Sequence, residues 1–272
     1  MKTNALVTGP IGSGKGWCCR TLLAEYPDAD GRIRKGAGLS NVLLSATEPG
    51  WEATNGDLTC QMGWHVSQNL PARDSIEEHV KWLEEIETRE AEDIQKYKVS
   101  SEIRRKYSSS YINLFKQITH FECERCGRDF GDIRLLGEDS AFISDGLTGL
   151  TKIGWHFTVG PKPSLTWPQT DTAQHHILNY LETIYGLRCS TVLVAHWSRE
   201  PREVEGGSII TVDTVGQKLA PKIVRVPDEI ILAVRTENTY TWDLNNPRID
   251  QKARRLPYRN GLEPTFAQIF RP

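Results

Sequence analysis

With 272 residues, 38% of them apolar and 25% charged, the chain has the composition of a soluble globular protein large enough for one sizeable α/β domain. A net charge of −2 excludes a global electrostatic pull towards nucleic acid, so any DNA or RNA binding has to come from a local basic patch. No apolar run reaches the about 18 residues of a membrane span, and the first residues lack the basic-then-apolar layout of a signal peptide. Six cysteines in a chain of this length do not read as a disulfide framework; the expected setting is a reducing cytoplasm.

Residues 4–8, NALVT, form a short apolar run that ends at Gly9, followed by a glycine-rich loop and by WCCRTLLAEY at helical spacing: strand, loop, helix. A second apolar run, NVLLSA at 41–46, is stopped by Pro49 and Gly50, and TCQMGWHV at 59–66 reads as a third short strand. From Asp74 to Gln117 the chain turns charged and helical in period, with Asp74 or Ser75 as N-cap. It reads as a solvated two-helix excursion, closed by the turn CERC at 123–126. The α/β rhythm then returns. SAFISDGLTGL (140–150) is a buried strand ending in an acid, TAQHHILNYLETIYG (172–186) carries a helical apolar stripe, and STVLVAHWS (190–198) is another apolar strand. DEIILAVRT and TYTWDL finish the order as a hairpin. Near-continuous apolar strands alternating with helices predict a mainly parallel sheet covered on both faces. The expected organisation is a single α/β domain over 1–272, with a helical, knuckle-bearing insertion at 74–135.

GPIGSGKG at 9–16 matches the phosphate-loop pattern G-x-x-x-x-G-K-[ST] up to its last place, where Gly16 stands for the hydroxyl residue. Gly9, Pro10, Ile11, Gly12, Ser13, Gly14, Lys15, Gly16 and Trp17 form the expected nucleotide cradle. Its glycines let backbone N–H groups approach phosphates, the next helix adds its positive end, and Lys15 neutralises the β- and γ-phosphates. In open parallel sheets ligands sit beyond the carboxyl ends of the strands, so the next strand ends matter. They carry Glu48 in ATEPG, Asp145 in FISDG and His196 in LVAHW. Asp145 fits the acid that holds Mg²⁺, directly or through water. Glu48 is placed to orient or deprotonate an attacking water, and His196 to sense the γ-phosphate. A glycine turn, a strand-end aspartate and a strand-end histidine each have plain structural readings as well. Their order along the chain is what joins them. A water in the place of the hydroxyl missing at Gly16 would leave Asp145 as the main protein link to Mg²⁺.

The succession GPIGSGKG, ATEPG, FISDGLTGL, LVAHWSRE and VGQKLAPKIVRVPDEIILAVR resembles the RecA-like P-loop ATPase core, and in detail the compact phage-encoded RecA-like ATPases of single-strand annealing and recombination. The likeness spans most of the chain, including FECERCGRDFG and the tail DQKARRLP. It implies ATP and Mg²⁺ as ligands, with Lys15, Glu48, Asp145 and His196 in the roles above. It also implies that Lys252 and Arg254 reach a neighbouring subunit's γ-phosphate in a homo-oligomeric ring or filament. Its implied partners are single-stranded DNA and a single-strand DNA-binding protein, in the cytoplasm of a bacterial host.

The same likeness implies two DNA loops, one over about 151–167 with Trp155, His156, Lys162 and Trp167, the other over about 198–215 with Arg199 and Arg202. Aromatic stacking with Arg and Lys on phosphates is how sequence-neutral single-strand sites work. Trp155 and Trp167 read equally as packing residues, and Glu200, Glu203 and Glu205 dilute the second loop's charge. Cys123 and Cys126 form half of a tetrahedral zinc site, which Cys60, His65 or His120 would complete; a redox pair or plain structural thiols are the other readings. A zinc ion there would pin the helical excursion. Cys18, Cys19 and Cys189 read as packing residues.

Three activities are compatible with this pattern. The leading one is an ATP-hydrolysing protein acting on single-stranded DNA. The second, motivated by Gly16, is a nucleotide-gated assembly or DNA-binding module with little or no hydrolysis. A small-molecule kinase is disfavoured, because the knuckle precedes the Asp145 strand and no arginine-rich lid comes after it.

Overall fold

The computed structural model describes residues 2–87, 101–161, 165–201, 208–216, 218–237, 239–246, 249 and 251–270. Its centre is an eight-stranded sheet: β1 (Asn4–Gly9), β2 (Asn41–Ala46), β3 (Trp64–Gln68), β4 (Ser140–Asp145), β5 (Ser190–Pro201), β6 (Ser208–Val212), β7 (Glu229–Thr236) and β8 (Thr239–Asp243). The spatial order is β8-β7-β1-β5-β4-β2-β3, with β6 paired to the extension of β5. All pairs are parallel except β7 with β8 and β5 with β6. The fold is therefore mixed α/β with a mainly parallel sheet.

The strands read as continuous apolar runs because both faces are buried. Ala5, Val7, Val42, Leu44, Ala141, Ile143, Val192 and Val194 enter one core cluster. The residues between them, Leu6, Leu43, Phe142 and Leu193, enter the other. This is the two-residue period of a strand with a core on each side.

One core is covered by helices: α4 (Ser101–Thr119), α5 (Leu147–Val159) and α6 (Trp167–Tyr185). Helix α6 starts in a capping box between Thr166 and Gln169, with Pro168 in its first turn. The segment before α4 begins with α3 (Ile76–Glu87), where Ser75 is the N-cap: Ser75 Oγ accepts from Glu78 N–H (3.2 Å) and Glu78 returns a carboxylate to Ser75 N–H (2.8 Å). The excursion is not solvated along its second helix. Tyr107, Tyr111, Leu114 and Ile118 of α4 are buried, and burying each such side chain contributes about 1.5–3 kcal/mol over leaving it in water. That gain decides the packing despite the helix's many charges.

The other core is covered differently from expectation. The helix read over 17–26 shrinks to α1 (Lys15–Cys18) and a 3₁₀ turn at Cys19–Leu22. Tertiary hydrogen bonds override its helical spacing: the carbonyls of Thr21, Leu22 and Ala24 accept from the N–H groups of Ala37, Leu39 and Gly36. Residues Glu25–Pro27 then pair with Ile33–Lys35 as a small hairpin. The cover over this face is completed by Trp242, Leu256, Leu262, Phe266 and Ile269 of the carboxy-terminal region. The strand read over 59–66 starts later, at Trp64, because Cys60–Met62 forms a 3₁₀ turn closed by Gly63 N–H on the Cys60 carbonyl (3.1 Å). Among the described residues, no helix is long and apolar enough to cross a membrane.

Candidate functional site

The parallel register sets the carboxyl ends of the central strands level: Gly9 stands opposite His196, and Ala46 opposite Asp145. The residues that leave these strand ends therefore meet at one edge of the sheet. The loop after β1 turns through left-handed glycines, Gly12 at φ +76° and Gly14 at φ +82°. A Cβ on Gly9 would stand 2.5 Å from the Ala233 carbonyl oxygen, so the loop lies directly against β7. Ser13 N–H closes the turn on the Pro10 carbonyl (3.3 Å). Helix α1 is only four residues long, so the expected dipole contribution is small and the loop's own N–H groups carry any anion contact. At the end of β1 and in the loop, the hydroxyls of Thr8 and Ser13 are buried with no hydrogen-bond partner among the described residues, a cost that an oxygen-rich ligand would remove.

Lys15 is buried and folds back over this loop. Its Nζ donates to the carbonyls of Gly9 (2.9 Å) and Pro10 (2.7 Å) and lies 3.3 Å from His196 Nδ1. Burial pushes its ammonium down to about 8, against the pull of Asp145 and Glu48. His196 Nε2 in turn lies 3.5 Å from Glu48 Oε2. Glu48 Oε1 accepts from the Gly149 N–H at the start of α5 (2.8 Å). Burial works against the Glu48 charge, but His196, Gly149 and Lys15 outweigh it and hold the carboxyl below its usual range. Burial and the Glu48 charge push Asp145 up to about 6, with Lys15 and His196 opposing. Four strand ends thus deliver one cation, one imidazole and two carboxylates whose proton affinities are driven apart, an arrangement suited to binding a metal–phosphate group and deprotonating a water beside it.

Two side chains near this loop carry no signal in the sequence. Gly14 packs against the Tyr240 ring from the β7–β8 hairpin, and a Cβ there would meet Tyr240 Cδ1 at 2.9 Å. Asn55, from the short helix α2 (Trp51–Asn55), donates from Nδ2 to the Gly16 carbonyl (2.9 Å). Both reach the loop through tertiary contact, which no local pattern reports.

At the far edge of the sheet, beside β3, Cys60, His65, Cys123 and Cys126 bring their four ligand atoms within 4.8 Å of one another. The Cys60 and Cys123 sulfurs are 3.7 Å apart, and Cys126 Sγ is 3.8 Å from His65 Nδ1. Those are the edges of a tetrahedron with metal–sulfur bonds of about 2.3 Å, and too long for a disulfide. Burial pushes His65 down to about 4, which keeps it in the neutral, ligating form. His120 is not part of the group: it is exposed, with Nδ1 3.7 Å from Asp129. A metal held by this cluster would tie the 60–65 segment to the chain just after α4, and so pin the sheet edge as well as the excursion.

Other expected site residues are placed differently. Arg254 pairs with Asp228 (2.7 Å), which also accepts from Asn4 N–H at the start of β1. It therefore sits at the opposite end of β1 from its own chain's glycine loop at 9–16. Lys252 donates to the Arg225 carbonyl (3.3 Å). The segment read as a first DNA loop is helical over Leu147–Val159; Trp155 packs half-buried against the helical core, His156 is buried, and Trp167 is exposed at the start of α6. The second expected loop begins as a hairpin in which Arg199 stands opposite Ile210. Helix and ladder formation win there because both segments close backbone hydrogen bonds against the core. Lys162 and Arg202 lie outside the described residues.

No protein-family model and no curated protein sequence matches this chain. Among solved structures it is similar to a prototypical ATPase from the type III secretion system of pathogenic bacteria, with 8% identity and a TM-score of 0.40 over 93% of this chain and 57% of that one. The chain thus spans little more than half of that neighbour, a likeness too distant to carry function across.

Proposed function

We propose that the chain is a RecA-like P-loop ATPase that binds Mg·ATP in the 9–17 loop and hydrolyses it with Glu48 as the general base. The observation that carries this reading is the chain of contacts Lys15–His196–Glu48, at 3.3 and 3.5 Å, with Asp145 beside it at the carboxyl edge of the sheet. Lys15 and the loop N–H groups bind the β- and γ-phosphates, and Asp145 holds the metal. When bound, Mg²⁺ neutralises phosphate charge. Glu48, ionised at neutral pH, takes a proton from a water whose oxygen bonds to the γ-phosphorus, while the bond from that phosphorus to the β–γ bridging oxygen breaks. His196 touches both Lys15 and Glu48, which makes it the link between phosphate occupancy and the base.

In keeping with the family resemblance, the proposed partner is single-stranded DNA and the proposed working form a homo-oligomer whose Lys252 and Arg254 act on a neighbour's nucleotide. A hollow of about 610 Å³ whose lining includes Arg73, Lys152 and Trp155, beside the acid Asp74, supports a site with both a stacking group and phosphate-pairing groups. The Cys₃His cluster is proposed to hold one structural zinc ion. Gly16 favours a second reading, a nucleotide-gated module that barely turns over.

Binding of a fluorescent ATP analogue and phosphate release, each with and without single-stranded DNA, test these readings. Lys15→Ala is expected to weaken binding sharply, and Glu48→Gln to leave binding in place while lowering turnover by about a hundredfold or more. Equal binding by Lys15→Ala would refute the phosphate-loop reading. Intact bound ATP after hours in Mg²⁺ would select the second reading. No response to DNA would remove the DNA assignment alone.

A further inference from the structure

The residue that departs from the phosphate-loop pattern, Gly16, has a hydroxyl beside it from elsewhere in the chain. A Cβ built on Gly16 would lie 3.3 Å from Thr54 Oγ1 and 3.7 Å from Asp145 Oδ2. The Thr54 hydroxyl and the Asp145 carboxylate therefore flank the one place from which the pattern's missing side chain would project. Resting on the nucleotide reading above, we infer that Thr54 of α2 supplies, from a distant point of the same chain, the hydroxyl that Gly16 lacks, as a ligand to the divalent cation shared with Asp145.

The hydrogen bonds of Thr54 leave it free to do so. Its hydroxyl donates its single proton to the Trp51 carbonyl (3.0 Å) and accepts one hydrogen bond from Asn55 Nδ2 (3.2 Å). A hydroxyl has two acceptor lone pairs, so one remains for a cation. With its proton committed to a carbonyl, the oxygen faces that cation as an acceptor, the form a hard divalent ion takes.

The helix is also held rigidly enough for the role. Asn55 Nδ2 bridges Thr54 to the Gly16 carbonyl. On the other side, the buried guanidinium of Arg20 donates to the Thr54 carbonyl and grips Asp57 with two bonds, at 2.8 and 3.0 Å. A bidentate arginine–carboxylate pair fixes orientation as well as distance. Loop and helix are thus locked on both flanks of the hydroxyl. The same closeness makes the two hydroxyl positions compete: a Cβ at 16 would stand a tight 3.3 Å from Thr54 Oγ1, so a side chain there would have to push the Thr54 hydroxyl aside by a few tenths of an ångström.

The test is a Mg²⁺ titration of fluorescent ATP-analogue binding, paired with affinity in EDTA and a thermal melt for every variant. Thr54→Val is expected to raise the Mg²⁺ concentration for half-maximal binding about tenfold or more, with EDTA affinity within about twofold, while Thr54→Ser stays near the parent. The double variant Gly16→Ser with Thr54→Ala is expected to recover Mg²⁺ dependence by returning a hydroxyl from the loop itself. An unchanged Mg²⁺ midpoint in Thr54→Val would overturn the inference while leaving the nucleotide reading intact. So would a parallel loss of EDTA affinity and melting temperature with no change in the Mg²⁺ midpoint, the mark of a packing role. Absence of Mg²⁺-dependent binding by the unaltered protein would instead overturn the nucleotide reading, and the inference with it.

Discussion

The guanidinium of Arg125 lies 5.7 Å from the centre of the Trp51 ring, and that contact joins the cysteine cluster to the helix bearing Thr54. Arg125 sits between Cys123 and Cys126, and its Nη1 also donates to the Leu58 carbonyl (2.5 Å). Next to it, the Glu124 carboxylate accepts from Gln68 N–H (2.7 Å), whose side chain donates to Glu52 of the same helix (3.1 Å). A metal that fixes the CERC turn therefore also steadies α2.

Zinc removal is consequently expected to act at a distance. The purified protein should carry one zinc per chain, and Cys126→Ser should destabilise it by about 2 kcal/mol, a fall in melting temperature of about 4–8 °C. The same variant should raise the Mg²⁺ midpoint for nucleotide binding. Metal content by chromogenic chelator and a thermal melt check this; unaltered protein that purifies without zinc, or a Cys126→Ser variant that melts like the unaltered protein, would refute it.

Gly14→Ala tests the phosphate loop's shape. At φ +82° an alanine costs about 1–2 kcal/mol, and its Cβ would also press on Tyr240 Cδ1 at 2.9 Å. Destabilisation and weakened nucleotide binding are both expected. Adding Tyr240→Ala should relieve only the steric part, which a double-mutant cycle on unfolding free energy reads directly. Full rescue would show that the backbone conformation is not limiting.

Asp145→Asn should move stability and binding in opposite directions. With a carboxyl near 6 when folded and an ordinary value of 3.8, the folded protein keeps a proton between those values that the unfolded chain has released. Stability therefore falls as pH rises through that window, and at neutral pH the buried charge is a burden only partly relieved by Lys15. Removing it should raise the ligand-free melting temperature by about 2–4 °C, roughly 1 kcal/mol, while abolishing Mg²⁺-dependent binding. A melt in EDTA decides the first half, and a Mg²⁺ titration the second.

His156 supplies the acid limit. Burial pushes it down to about 4, helped by Lys152 and opposed by Asp74, and its ring meets Tyr107 edge-on at 4.8 Å. Between pH 6.5 and about 4 only the unfolded chain takes up this proton, so stability present above pH 6.5 is lost as pH falls, by at most about 3 kcal/mol. His156→Phe, which keeps the ring but cannot titrate, should lose less stability than the parent between about pH 7 and 4.5 in urea unfolding. Parallel pH profiles would count against it.

Along the chain, local information was enough for the strands and the glycine loop. NVLLSA, SAFISD and STVLVAHW are near-continuous apolar runs because a strand buried on both faces does not alternate with a solvated side, and Pro49–Gly50 marks where one must stop. Glu48, Asp145 and His196 could be picked out because each closes such a run. Local periodicity could not say that the helix after the loop ends at Cys18, since distant N–H groups claim its neighbours' carbonyls. Nor could it say that the charged helix Ser101–Thr119 buries Tyr111, Leu114 and Ile118, because that choice rests on area removed from water against α5 and α6. Strand order alone brings Cys60 and His65 to Cys123 and Cys126, and Thr54 to Gly16. Those meetings join residues 38 to 66 positions apart, a separation over which no sequence period operates and only the packing of the sheet decides who touches whom.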